Sequence, residues 1–100
     1  MTMEYTRQHG VIKVRQGDEF MVALDANPTT GFQWEPRFEA DALQLLERRP
    51  PTPGPGVGAG GVERFRFKAI GQRASRLVFA YRRPWDTQAA EELSFQLDTL

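Results

Sequence analysis

The sequence predicts an all-β fold, an antiparallel β-sandwich of seven to eight strands. Apolar side chains recur at every second position in three runs of the second half, Phe65, Phe67 and Ala69, then Leu77, Phe79 and Tyr81, then Leu93, Phe95 and Leu97. That is the period of a strand with one buried face. Turn residues punctuate the chain at short intervals, and no stretch has the spacing of a long amphipathic helix, which together favour a sandwich. One hundred residues, 40% of them apolar and 26% charged, suit a single domain over residues 1–100. A chain of that size buries roughly two-thirds of the surface it exposes when unfolded.

Taken in order, Met1 to Gly10 is polar, and Val11 to Val14 is a short β-prone run that ends in a turn at Gln16, Gly17 and Asp18. Phe20, Val22 and Leu24 then alternate with Met21, Ala23 and Asp25 as a half-buried strand. After a loop, Phe32 and Trp34 continue the period of two until Pro36 is expected to stop it, since proline cannot donate to a ladder. Trp34 is the largest single candidate for the core, provided its indole N–H finds an acceptor. Glu39 to Leu43 fits one helical turn and Leu43 to Arg48 a strand. Pro50 to Gly61 holds only Val57 and Ala59 as apolar side chains, too few to fold on itself, and is expected to be a long exposed connection. Gly71 to Ala74 reads as a turn, and Arg83 to Ala90 as the loop before the last strand.

Balanced charge, with 13 basic and 13 acidic residues, gives no broad basic surface for nucleic acid or an anionic membrane. Arg48 and Arg49, Arg64 and Arg66, and Arg82 and Arg83 sit among glutamates and are expected on solvated strand faces. There is no cysteine, so disulfides, thiolate metal sites and a cysteine nucleophile are excluded. The single histidine, His9, is expected at the surface, and neither a pair of histidines nor a carboxylate cluster has metal-ligand spacing. No metal, cofactor or catalytic set is therefore expected, and the chain is not expected to be an enzyme. Neither a secretory leader nor a run of about 18 apolar residues is visible. The expected compartment is the cytoplasm, or the periplasm or exterior if a leader has been removed.

Three loops carry the functional signal. Asn27, Pro28, Thr29, Thr30, Gly31 and Phe32 form a short loop between strands. Its proline fixes one φ and biases the residue before it, while Gly31 can take a positive φ. Such a loop is shaped before it meets a partner, although the same residues also make ordinary turns. Val57, Gly58, Ala59, Gly60 and Gly61 could let a backbone approach a partner closely, or serve only as a floppy connection. Gly56, Gly58 and Gly61 match a nucleotide-binding glycine pattern, but neither the strand before it nor the helix after it is present. Arg83, Pro84 and Trp85 place a tryptophan beside arginine in a polar loop, either as an exposed interface anchor or as a lid on the sandwich end. In a sandwich these three connections can gather at one end.

The segments Asn27-Pro28-Thr29-Thr30-Gly31-Phe32, Gly58-Ala59-Gly60-Gly61 and Arg83-Pro84-Trp85, in that order and spacing, resemble the three signature loops of the chagasin-like inhibitors of papain-family cysteine peptidases. The resemblance implies an immunoglobulin-like β-sandwich whose loops form a wedge in the peptidase cleft. Thr29, Thr30 and Gly31 would cover the catalytic cysteine and histidine, the glycine loop with Val57 as anchor would follow the non-primed subsites, and Arg83 and Trp85 would pack on the primed side. It further implies a reversible, tight, competitive inhibitor acting as a monomer, with roughly 800 Å² buried on each partner. Two departures stand out: a proline-rich approach to the glycine loop and a small anchor in Val57. A non-inhibitory immunoglobulin-like recognition module, binding glycan or another protein through the same edge, is the alternative.

Overall fold

The alternating apolar residues become the facing surfaces of two sheets. A computed structural model describes residues 3–7, 10–26, 31–50, 61–72 and 74–99. Among them run eight strands: β1 (Met3–Tyr5), β2 (Val11–Val14), β3 (Glu19–Ala26), β4 (Gln33–Arg37), β5 (Leu43–Arg49), β6 (Gly61–Ala69), β7 (Ser75–Arg82) and β8 (Glu91–Thr99). They form two four-stranded sheets, ordered β1-β3-β6-β5 and β2-β8-β7-β4. Phe20, Val22, Leu24, Phe65 and Phe67 of the first sheet meet Ile12, Trp34, Leu77, Phe79, Phe95 and Leu97 of the second in one buried cluster. Phe65 and Phe79 lie 5.0 Å apart between ring centres, and Phe79 meets Phe95 edge-on at 5.9 Å, arrangements that aromatic quadrupoles favour.

The expected sandwich is present, with refinements that follow from long-range pairing. The sheets are antiparallel except at one edge of each, where β1 joins β3 and β2 joins β8 in parallel. Parallel neighbours cannot share a tight hairpin, but here the chain passes from β1 to β2 in the opposite sheet, and β2 and β8 lie far apart in sequence. The polar start of the chain thus contributes a strand of three residues, too short for any period to show. Pro36 lies inside β4, opposite Phe79, and does not end it. Because β4 is an outer strand, the missing N–H can face away from the ladder.

The turns follow local chemistry. Gly17 has φ 95°, the Asp18 N–H donates to the Arg15 carbonyl at 3.0 Å, and an Asp18 carboxylate oxygen accepts from the Arg15 N–H at 2.9 Å. The expected helical turn is a single turn in which the Leu43 N–H reaches the Glu39 carbonyl at 3.1 Å. It leads directly into β5.

Candidate functional site

The ends of β3, β4, β6, β7 and β8 meet at one pole of the sandwich. Ala26, the last residue of β3, pairs with Gly61, the first of β6, so the first loop leaves where the glycine segment arrives. Gln33, which opens β4, pairs with Arg82, which closes β7, so the first loop returns beside the departure of the third. The Ala90 N–H donates to the Tyr81 carbonyl at 2.8 Å, closing the third loop onto its own stem.

The residues between β7 and β8 build a turn with a clear origin. Arg83 accepts at its carbonyl from the Asp86 N–H at 3.0 Å, which leaves Pro84 and Trp85 as the two central residues. Proline suits the first of these because its φ is already set, and Trp85 has no positive φ, consistent with a type I turn. The turn presents the Trp85 ring to solvent at 68% exposure, so Trp85 is an exposed ring and not a lid. Gly31 has φ 80°, a region L side chains avoid. A Cβ at Gly31 would lie 3.4 Å from Cη2 of Trp85, so the indole rests close to the backbone of the first loop.

A row of planar groups runs from the core to that exposed ring. Buried Trp34 lies 4.5 Å from Tyr81, and Tyr81 stacks on Phe32 at 5.0 Å. The Arg83 guanidinium carbon lies 5.0 Å from the Phe32 ring centre and 5.3 Å from that of Trp85. Each step is a favourable ring or cation–π contact. Arg83 also pairs with Asp86, Nε to Oδ2 at 2.8 Å. That hydrogen bond strengthens the hold of Arg83 on its proton and keeps the Asp86 carboxyl below its usual range.

Directly beneath the rim lies a charge that the sequence places among scattered, solvent-facing acids. Glu63 is fully buried, because the period that turns Phe65 and Phe67 inward turns Glu63 inward too. Its Oε1 accepts from Nη2 of Arg48 at 2.8 Å and from Nε at 3.2 Å, and Oε2 lies 3.5 Å from the Trp34 N–H. Arg48 also donates to the Trp34 carbonyl at 2.9 Å. The pair thus satisfies the unladdered backbone of outer strand β4 from the opposite sheet. Burial pushes the Glu63 carboxyl up, against the pull of Arg48. Arg48 is accordingly a bridge between sheets and not part of a purely solvated face.

Of the sequence-predicted site residues, Gly31, Phe32, Arg83, Pro84 and Trp85 are brought together at this pole, and Gly61 opens β6 beside them as a strand residue, not a loop residue. Asn27, Pro28, Thr29, Thr30, Val57, Gly58, Ala59 and Gly60 lie outside the described residues, as does His9. Asp86 belongs to the third loop by sequence, but its pairing with Arg83 and the burial of Glu63 are visible only in the structure. The alternation upstream of Phe65 pointed to Glu63, and the turn closed by Asp86 pointed to Asp86. Among the described residues, no group of three or more His, Cys, Asp or Glu side chains could hold a metal ion, and no helix is long and apolar enough to cross a membrane.

Known proteins share this fold. The chain is 24% identical over 81 residues to Amoebiasin-2 of Entamoeba histolytica, a match covering 78% of this chain and 66% of that protein, just under two thirds of its length. The fold superposes on the crystal structure of the cysteine protease inhibitor EhICP2 from Entamoeba histolytica with a TM-score of 0.86, at 20% identity over 100% of this chain and 97% of the other. It also superposes on PbICP-C, solved in complex with falcipain-2, with a TM-score of 0.70 at 14% identity over 97% and 89% of the two chains. The model of the chagasin family of peptidase inhibitors, I42, matches residues 13–98. With the match running from β2 through β8, the chain belongs to the chagasin family of peptidase inhibitors.

Proposed function

We propose that the chain is a reversible, tight-binding, competitive inhibitor of papain-like cysteine peptidases, acting as a monomer that fills the active-site cleft with three loops. The observation that carries this reading is the placement of Trp85. A large ring at 68% exposure, seated on a proline turn and backed by Arg83 and Gly31, has the composition of an interface anchor. Family membership and the likeness to PbICP-C, which is solved bound to falcipain-2, support the choice of partner.

In this reading Thr29, Thr30 and Gly31 sit over the peptidase's catalytic cysteine and histidine without offering a bond in attack geometry. Val57 and the run Gly58 to Gly61 follow the non-primed subsites, and Arg83, Pro84 and Trp85 take the primed side. The inhibitor supplies no chemistry. Part of its affinity comes from the hydrogen-bonded turn that carries Trp85, which loses little freedom on binding. Titrating papain with the purified domain tests the proposal. Loss of activity that is stoichiometric at high enzyme concentration is expected, whereas undiminished activity would favour a non-inhibitory recognition module.

A further inference from the structure

Arg83 makes more internal contacts than a side chain held in reserve for a partner requires. Its Nε and Nη2 donate to the two carboxylate oxygens of Asp86 at 2.8 and 3.3 Å, while Phe32 and Trp85 lie at cation–π distance from its guanidinium. A planar guanidinium can do both, because its donors point outward in the plane and its faces remain available for rings.

Asp86 is itself fixed by its neighbours. Its N–H donates to the Arg83 carbonyl at 3.0 Å, its carbonyl accepts from Nη1 of Arg82 at 2.9 Å, and its Oδ2 lies 3.4 Å from the Arg83 N–H. Arg82 is paired in turn with Glu35 at 2.7 Å, so the base of the turn is tied to β4. The carboxylate is therefore directed into the loop and not outward.

We propose that Asp86 is a positioning residue of the inhibitory edge: it aims the Arg83 guanidinium onto Phe32 and Trp85, holding the indole beside Gly31 so that Gly31, Phe32 and the third loop present one preformed surface. The inference rests on the inhibitor reading for its consequence, but its structural half concerns the free protein alone.

The test uses the full chain and the variants Asp86→Ala, Asp86→Asn, Trp85→Ala and the Trp85→Ala, Asp86→Ala double variant. The two tryptophans give separate indole N–H signals in ¹⁵N NMR. Asp86→Ala is expected to raise nanosecond mobility at the Trp85 indole while leaving that of Trp34 unchanged. It should also weaken papain inhibition by roughly threefold to tenfold, the ordering cost of one large side chain. Asp86→Asn keeps an oxygen acceptor for Arg83 and should recover most of the loss. In the Trp85→Ala background the loss on removing Asp86 should shrink, because most of what a positioning residue contributes passes through the indole it fixes and only what it gives through Arg83 is left. An equally rigid Trp85 indole in Asp86→Ala, or a loss undiminished in the Trp85→Ala background, would overturn the proposal. If the parent does not inhibit papain at all, the functional reading fails, and the indole measurement still decides whether Asp86 fixes Trp85.

Discussion

The indole N–H of Trp34 donates to the backbone carbonyl of Asp25 at 2.9 Å, and so ties β4 to β3 across the two sheets. These are the strands on either side of the first loop. One core side chain therefore sets the separation of that loop's two ends while also filling the sandwich. Trp34→Phe keeps most of the apolar contact but strands the Asp25 carbonyl and leaves a small void. It should destabilise the domain by about 2 kcal/mol, measured by urea unfolding. An unchanged unfolding midpoint would show that the cross-sheet bond contributes nothing.

The Glu63–Arg48 pair predicts an asymmetry between its two ends. Arg48→Met leaves a carboxylate with no cationic partner in the interior. The Arg48 side chain is 37% exposed, so water can enter the vacated space, and a loss of about 2 kcal/mol is expected at neutral pH, less than for a fully enclosed pair. Glu63→Gln removes the buried charge and should be tolerated better. The folded-state pKa of Glu63 lies above its ordinary value of 4.5, so its contribution to stability is fully present below that pH and is lost as pH rises through the raised value. Arg48→Met should widen that fall upward in pH, and Glu63→Gln should flatten it. Unfolding free energies across the acid to neutral range check this; Glu63→Gln proving the more damaging variant at neutral pH would contradict it.

Gly31 predicts a dependence on conformation as distinct from size. At φ 80° a β-branched residue is strained, so Gly31→Val should cost about 1–2 kcal/mol in stability and displace the nearby indole. Gly31→Asn should be milder, since Asn enters this region more readily. The comparison is read in both unfolding midpoint and papain inhibition. Equal behaviour of the two variants would remove the backbone argument.

Much of this architecture is legible in the chain because it is local. The period of two marked β6, β7 and β8 directly, Trp34 stood out by size, and Arg83-Pro84-Trp85 carried its turn in its proline. What escaped depends on residues far apart in sequence. β1 exists only because three residues find β3 in parallel. Glu63 is tolerable inside only because Arg48 arrives from β5, and Pro36 sits in a strand only because β4 has a free side. At the site, the sequence marks the loop from Arg83 to Asp86 and leaves Trp85 as either an exposed ring or a lid, but it does not show the Asp86 carboxylate holding Arg83. An acid after a turn is ordinary until the guanidinium it holds is seen against two rings.

Trp85 itself should behave as an anchor and not as a structural residue. With the ring largely in solvent, Trp85→Ala should leave the unfolding midpoint unchanged while weakening papain inhibition by at least about tenfold. Equal inhibition by parent and variant would remove Trp85 from the interface.

The most direct measurement asks whether the loops occupy the cleft. Papain is mixed with a stoichiometric amount of the domain and exposed to a small thiol-alkylating reagent, and modification of its catalytic cysteine is followed by mass spectrometry. The account predicts that the cysteine is protected in the complex and becomes reactive again when Trp85→Ala replaces the parent at concentrations where that variant no longer binds. Alkylation at the uninhibited rate, with the domain demonstrably bound, would contradict it.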